Sequence, residues 1–319
     1  MRDGLSAGRR GRVLVTGAAG FIGCHLVEAL AAAGVEVVGL DNERSGDWSR
    51  VQAPCEQIRR DLADLSPDDL VALCSGVDVV FHLAAEKHNS ARATPQRIID
   101  VNISATNRLF DAAGRAGCPK VVFASSLYAY GSIGPLPMRE TDIPAPVTMY
   151  GMSKLAGEQM LRVASNEHAL GWTVARLFFI YGPRQFAEGG YKSVIVSNFE
   201  RLMQNEAPTV YGDGEQALDY VYVDDAIGAL LAMATPEHDG TVLNIASGRA
   251  VTVNELTAAM LAVSGSDVAA RTCPPDWTAG SSRVGEPTAA AAELGWKAET
   301  PVEVGLRRCW EWMRKERNA

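Results

Sequence analysis

The stretch Val13-Leu14-Val15-Thr16-Gly17-Ala18-Ala19-Gly20-Phe21-Ile22-Gly23 limits what this chain can fold into more than any other. Arg12 to Val15 is a short apolar, β-branched run that reads as a buried strand. Phe21, Ile22, Leu26, Val27 and Leu30 then recur with a helical period. Between the two, Gly17, Gly20 and Gly23 stand at three-residue spacing. The first permits a tight turn, the second lets backbone approach a pyrophosphate, and the third lets helix pack close to strand. The helix N-terminus offers N–H groups and a positive dipole end to phosphates. A plain strand–helix junction uses the same glycines, so the next strand is what discriminates. Val35 to Leu40 is apolar and ends in Asp41. An acid about twenty residues past the glycines, at a strand's carboxyl end, fits the adenosine ribose hydroxyls. No arginine directly follows Asp41, and Arg44 is three residues on, so the expected cofactor is NAD rather than NADP. A turn acid after a strand is the competing reading of Asp41.

Charge and cysteine usage exclude several function classes. The chain has 319 residues and a formal net charge of −8, a balance that argues against a nucleic-acid-binding surface. No apolar run reaches membrane-spanning length. Met1 to Arg12 is basic and lacks an apolar core, so it reads as a disordered leader rather than a signal peptide. Cys24, Cys55, Cys74, Cys118, Cys273 and Cys309 are scattered without a CxxC pair. They suit free thiols in a reducing cytoplasm, with no disulfide and no metal site.

A third strand is expected over Cys55 to Arg59, ending near Asp61-Leu62, which can face the adenine or simply cap a helix. The helix at Pro67 to Cys74 follows. Val77 to Ala85 reads as a strand and its exit, with small residues Ala84 and Ala85 leaving room for the cofactor backbone. His82, inside that apolar run, reads as a satisfied core histidine. Pro95 to Ala116 has the pattern of one long amphipathic helix, closed by Gly117-Cys118-Pro119. Lys120 to Ala124 is a buried strand running into Ser125-Ser126, and Trp172 to Phe179 is a sixth. Strands alternating with helices predict an α/β fold with a Rossmann-type, doubly wound parallel sheet. After Tyr181 the alternation breaks down. Residues 12–181 are expected to form mainly the dinucleotide-binding domain. Residues 182–319 are expected to form mainly a smaller, interwoven substrate lobe, with Asp224 to Leu231 packing back on the first. Helices are expected at Val194 to Met203, at Asp224 to Met233 and from Val302.

Tyr150 and Lys154 are four residues apart at the head of a helix, hence on one face. A phenol has an unperturbed pKa of about 10, and a nearby ammonium favours the phenolate. Ser126, at the end of a central strand, can share a hydrogen bond with a substrate hydroxyl. Beside a nicotinamide, these groups make a hydride-transfer site in which Tyr150 takes the hydroxyl proton.

In this combination the chain resembles an extended short-chain dehydrogenase/reductase of the nucleotide-sugar epimerase/dehydratase family. The matching residues are Thr16 to Gly23, Asp41-Asn42, Asp61-Leu62, His82 to Ala85, Asn102, Ser125-Ser126, Tyr150 with Lys154, Tyr181 to Arg184, Gly212 to Gly214 and Tyr220 to Asp225. The resemblance implies tightly bound NAD, a nucleotide-sugar substrate and a homodimer built on helix pairs. It places the cofactor against Gly17, Gly20, Phe21, Ile22, Gly23, Asp41, Asn42, Ser45, Gly46, Asp61, Leu62, Leu83, Ala84, Ala85, Lys87, Asn102, Ala124, Tyr150, Lys154 and Phe178. It places the substrate against Lys87, Ser126, Tyr128, Tyr150, Phe179, Arg184, Lys192 and Arg283.

The resemblance also sorts reaction types. Dehydratases and decarboxylases of the family carry an acid just after the catalytic Thr or Ser, whereas Leu127 and Tyr128 follow Ser126 here. That favours a 4-epimerase. Two departures stand out. Phe179 replaces an Asn that many epimerases have after the sixth strand, and Leu218 replaces an Arg that meets the diphosphate. Arg184, Lys192 and Arg283 are the cations available to compensate, or are surface charges. Tyr128 reads as a packed aromatic or as an extra proton donor. A family oxidoreductase on a non-nucleotide substrate is the second reading, and a catalytically inactive dinucleotide sensor the third.

Overall fold

The structure, a computed structural model, describes residues 11–87, 94–131, 136–185, 192–276 and 280–318. The basic leader falls almost wholly in 1–10, outside the described residues. The first half alternates as the pattern predicts: β1 (Arg12–Thr16), α1 (Phe21–Ala32), β2 (Glu36–Asp41), β3 (Glu56–Arg59), α2 (Pro67–Cys74) and β4 (Val79–His82). Helix α3 follows, as Pro95–Ile98, a π-helical stretch Ile99–Ala105, and Thr106–Arg115. Then come β5 (Lys120–Ser126), α4 (Met149–His168) and β6 (Gly171–Leu177).

Local chemistry explains the boundaries. Ser66 and Asp69 form a capping box at the head of α2, with Pro67 in the first turn. The Thr148 side chain accepts the Gly151 N–H at the head of α4. The alternating side chains of β1 bury on both faces of the sheet. Val13 and Val15 join Leu26 and Leu30 of α1, and Leu14 joins Leu70 of α2, Leu109 and Phe110 of α3 and Leu161 of α4.

After β6 the chain leaves the main sheet. The expected strand Trp172 to Phe179 is broken at Phe178, whose N–H is taken by Ile245 O, while the Phe179 N–H goes to Asp219 O. Strand β7 (Phe179–Tyr181) then pairs in parallel with β10 (Tyr220–Tyr222). Helix α5 (Val194–Met203) separates β7 from β8 (Thr209–Tyr211) and β9 (Ala217–Leu218). Helix α6 (Val223–Ala232) buries Ala226 and Leu230 in the core that holds α1. Strand β11 (Thr241–Ile245), not expected from the sequence, returns to the main sheet beside β6. The remainder is β12 (Val251–Thr252), α7 (Val253–Ser264), β13 (Arg271–Cys273), β14 (Ser282–Arg283), α8 (Thr288–Leu294) and α9 (Val302–Asn318). The main sheet runs β11-β6-β5-β4-β1-β2-β3, all parallel, and its order reverses at β1, where the crevice of a doubly wound sheet opens. Among the described residues, no helix is long and apolar enough to cross a membrane, and no cluster of metal-ligating side chains occurs.

Candidate active site

At the carboxyl ends of the central strands lies one cleft of ≈ 460 Å³. Its wall includes Gly17, Gly20, Phe21, Ile22, Gly23, Asp41, Asn42, Ser45, Gly46, Asp61, Leu62, Leu83, Ala84, Ala85, Lys87 and Ala124, together with Ser126, Tyr150, Lys154, Phe178 and Phe179. Gly17 has φ +74°, and a Cβ there would stand 2.8 Å from Ala84 N. A Cβ on Gly23 would stand 2.0 Å from Gly17 O, so only glycine lets α1 start this close to β1. The N-cap of α1 is Gly20, with no side-chain cap bond, which leaves the first turn to serve a ligand's phosphates. Asp41 accepts the Ala19 N–H at 3.0 Å and the Glu43 N–H at 2.8 Å, one on each oxygen. Each oxygen keeps capacity for a ribose hydroxyl. Burial pushes this carboxyl up, against those two donors. A backbone cradle, an uncapped helix terminus and an acid at the end of β2 fit the adenosine and pyrophosphate of NAD.

Around Tyr150 the positioning is denser than its sequence motif suggests. Lys154 Nζ donates to Ala124 O at 2.8 Å, and its charge lies 5.0 Å from the centre of the Phe123 ring and 5.8 Å from that of Tyr150. Burial pulls the Lys154 ammonium down to about 7, against the charge of Glu158. Burial also pushes the Tyr150 phenol up to about 12, although a hydrogen bond with Ser126 opposes it. Removal from water is the largest influence on this phenol and raises it, whereas the sequence reading looks to the Lys154 ammonium to favour the phenolate.

Glu158, one further turn along α4, is wholly buried. It takes Arg176 through two hydrogen bonds of 3.0 and 2.7 Å and the Ser125 hydroxyl at 2.5 Å. Ser125 lies between Ala124, which holds Lys154, and Ser126. The helix-period spacing from Lys154 to Glu158 is visible in the sequence, but its partners on β5 and β6 are not. His82 is the satisfied core residue its neighbours suggest, bridging Thr16 Oγ1 at 2.7 Å and Thr106 Oγ1 at 2.9 Å.

Asn102 stands behind the wall rather than in it. From the π-helical stretch it accepts the Glu86 N–H at 2.7 Å and donates to Glu86 O at 3.0 Å and to Ser153 Oγ at 3.1 Å. Tyr128 packs edge-on against Tyr150, with centroids 5.7 Å apart, and the Arg283 guanidinium lies 5.0 Å over its ring. Arg283 is in register with Leu218 across the parallel pair β14–β9. Arg184 is drawn to α1 instead: it is hydrogen-bonded to both oxygens of Glu28, to Arg50 O and to His25. Lys192 pairs with Glu200 at 2.5 Å. None of Tyr128, Arg184, Lys192 and Arg283 is part of the cleft wall.

Arg44 and Ser125, both named in the sequence reading, also line the cleft, and Glu86, Gln185 and Ser193, which that reading did not single out, complete it. Glu86 is adjacent to the quoted Ala85 and Lys87, a usable signal; Gln185 and Ser193 carry none. Asp219 ties together segments that follow β6. Its buried carboxylate accepts the N–H and hydroxyl of Ser247 and the N–H groups of Gly248 and Gly285.

A nucleotide cradle and a Ser–Tyr–Lys cluster on one doubly wound sheet define a dinucleotide-dependent enzyme of the short-chain dehydrogenase/reductase type. The chain belongs to the NAD dependent epimerase/dehydratase family, whose model matches residues 13–246. It is 33% identical to the UDP-glucose 4-epimerase of Mycolicibacterium smegmatis over 320 residues, which cover 96% of this chain and 99% of that protein. Among solved structures, the UDP-glucose 4-epimerase of Thermotoga maritima with UDP-glucose superposes with a TM-score of 0.90 at 33% identity, covering 96% of this chain and 99% of that one. The Thermus thermophilus UDP-glucose 4-epimerase complex with NAD gives 0.85 at 31% identity, covering 95% and 99%.

Proposed function

We propose that this chain epimerises a nucleotide sugar at C4 with NAD, the first domain holding the cofactor and the interwoven lobe the substrate. The observation that carries this reading is one cleft that joins the Gly17 turn and Asp41 to Ser126, Tyr150 and Lys154, with no acid following Ser126. Bound NAD supplies the redox chemistry, accepting and returning one hydride. The chain's own groups handle the proton and the geometry. Tyr150, in its phenolate form, takes the 4-hydroxyl proton as the sugar is oxidised to the 4-ketone, and gives it back when reduction occurs on the opposite face. Positive charge beside the ring offsets the burial that favours the neutral phenol. Ser126 holds the same oxygen. Lys154, fixed by Ala124 O, places positive charge beside the phenol where phenolate develops.

The diphosphate is assigned to Arg283. Leu218 offers no charge, but its register neighbour across β14–β9 does, one strand away from where family members carry their arginine. Phe179 and Leu218 favour the second reading, an oxidoreductase on a non-nucleotide sugar. Exposed Met152 and Val163 on α4, and Ile99 on α3, support a homodimer built on these helices. The free cysteines support a reducing, cytoplasmic setting.

The test has two arms. Denatured protein should release stoichiometric NAD, and NMR of UDP-, dTDP-, GDP- and CDP-sugars should show one converted to its 4-epimer. Titration of the free nucleoside diphosphate into wild type, Arg283→Ala and Leu218→Arg addresses the substrate end. Weakened binding in Arg283→Ala supports the assignment, and no binding by any of the three gives the non-nucleotide reading its place.

A further inference from the structure

Two carboxylates at the cleft stand on loops that the sheet keeps apart. Asp61 follows β3 and Glu86 follows β4. In the order β4-β1-β2-β3, the strands between them are those that carry the glycine turn and Asp41. Arg97, in the first turn of α3, joins the two: its Nε donates to Glu86 Oε1 at 3.0 Å and its Nη2 pairs with Asp61 Oδ2. Both ends are anchored. Asp61 also accepts the Ala63 N–H at 2.9 Å and Asn42 Nδ2 at 2.6 Å. Glu86 has its backbone clamped by Asn102, and Arg44 Nε lies 3.3 Å from its Oε1. Burial pushes the Asp61 carboxyl up, but Ala63, Arg97 and Asn42 outweigh it and hold the group below the usual carboxylate range.

We propose that Arg97 is a latch: its two ion pairs tie together the carboxylates on either side of the adenosine half of the dinucleotide site, and this bridge opens before the cofactor can leave. The inference rests on the reading that NAD is the resident cofactor. An enzyme that oxidises and then reduces the same substrate has no use for cofactor exchange, and losing the cofactor between the two halves ends the cycle. The latch slows that loss without touching the reacting atoms. Arginine suits the task because its planar fork engages two carboxylates at once, whereas a lysine is a single point charge. The side chains of Arg97, Asp61 and Glu86 are 23%, 14% and 7% exposed. Water and salt reach the bridge, so it responds to ionic strength.

Wild type, Arg97→Gln, Arg97→Lys and Glu86→Gln are loaded with NADH, and release is followed by the loss of bound-nucleotide fluorescence on mixing with excess NAD. The expected result is release about threefold to fivefold faster in the two Gln variants, with Arg97→Lys between them and wild type. Wild-type release should quicken from low to high KCl, and Arg97→Gln release should not. Arg97→Gln combined with Glu86→Gln should be no faster than either alone, as for two ends of one bridge. If Arg97→Gln does not fold, Glu86→Gln decides, because Asn102 still holds that residue's backbone. Release from the Gln variants within about twofold of wild type overturns the latch. Wild type that holds no NADH overturns the cofactor reading instead, a distinct result.

Discussion

Tyr150 and Lys154 sit one helical turn apart, and the protein treats them in opposite ways. Burial drives the phenol up to about 12 and the ammonium down to about 7, so each is pushed toward its neutral form. Tyr150→Phe keeps the ring and its packing against Tyr128. It should retain NAD while turnover falls by about 10²–10⁴, the worth of a positioned acid/base. Steady-state kinetics on protein with a measured NAD content checks this, and near-normal turnover would move the role to Tyr128. At the other end, Asp41→Ala should weaken NAD binding by roughly 1–3 kcal/mol and narrow the discrimination against NADP, readable by calorimetry. The motif spacing shows both pairs of residues. It does not show the sign of the phenol's shift, because that depends on how much of the fold closes over it.

At the scale of elements, α4 and β5 form one device. Lys154 is held by Ala124 O, and Glu158 holds Ser125 from the same helix. Strand alternation sends Ser125 and Ser126 to opposite faces, so a bond to the first sets the position of the second. Ser125→Ala removes that single bond and leaves the Glu158–Arg176 pair intact. It should lower kcat about tenfold with little change in KM, the pattern of a misplaced catalytic group. Glu158→Gln is the harsher change, since it leaves Arg176 buried without its counter-charge and should cost roughly 3–5 kcal/mol of stability by urea unfolding. The helical period of α4 is plain in the sequence. The break in the sixth strand at Phe178 is not, because Asp219, which captures the Phe179 N–H, lies forty residues further on.

At the scale of the molecule, one buried histidine makes stability depend on pH. His82 is held neutral by burial, its pKa pulled from 6.5 to about 3. Between those values the unfolded chain binds a proton that the native state does not, so stability falls as pH drops through that window. A non-titrating His82→Gln variant is expected to be less stable at neutral pH. Its deficit relative to wild type should shrink by roughly 1 kcal/mol per unit as pH falls below about 6.5. Parallel denaturation midpoints across that range would show another cause. The proposed dimer is tested at the same scale: Met152→Glu with Val163→Glu puts two charges on the exposed face of α4 and should give a monomer by light scattering. A dimer that survives both changes uses a different face.

The alternation of strands and helices, the glycine turn, Asp41 and the Tyr150–Lys154 pair were determined by the sequence alone, because each rests on spacing within one element or across one turn. Tertiary structure decided what depends on distant segments meeting. Strand β11 is five residues of ordinary apolar pattern until β6 offers it an edge. Arg184 is a cation near a strand end until Glu28 draws it to α1, and Arg97 is one more helix arginine until the sheet order sets Asp61 and Glu86 on either side of the site. Charges and hydrogen bonds choose partners by proximity in space, and sequence distance says little about which of several candidates will be near.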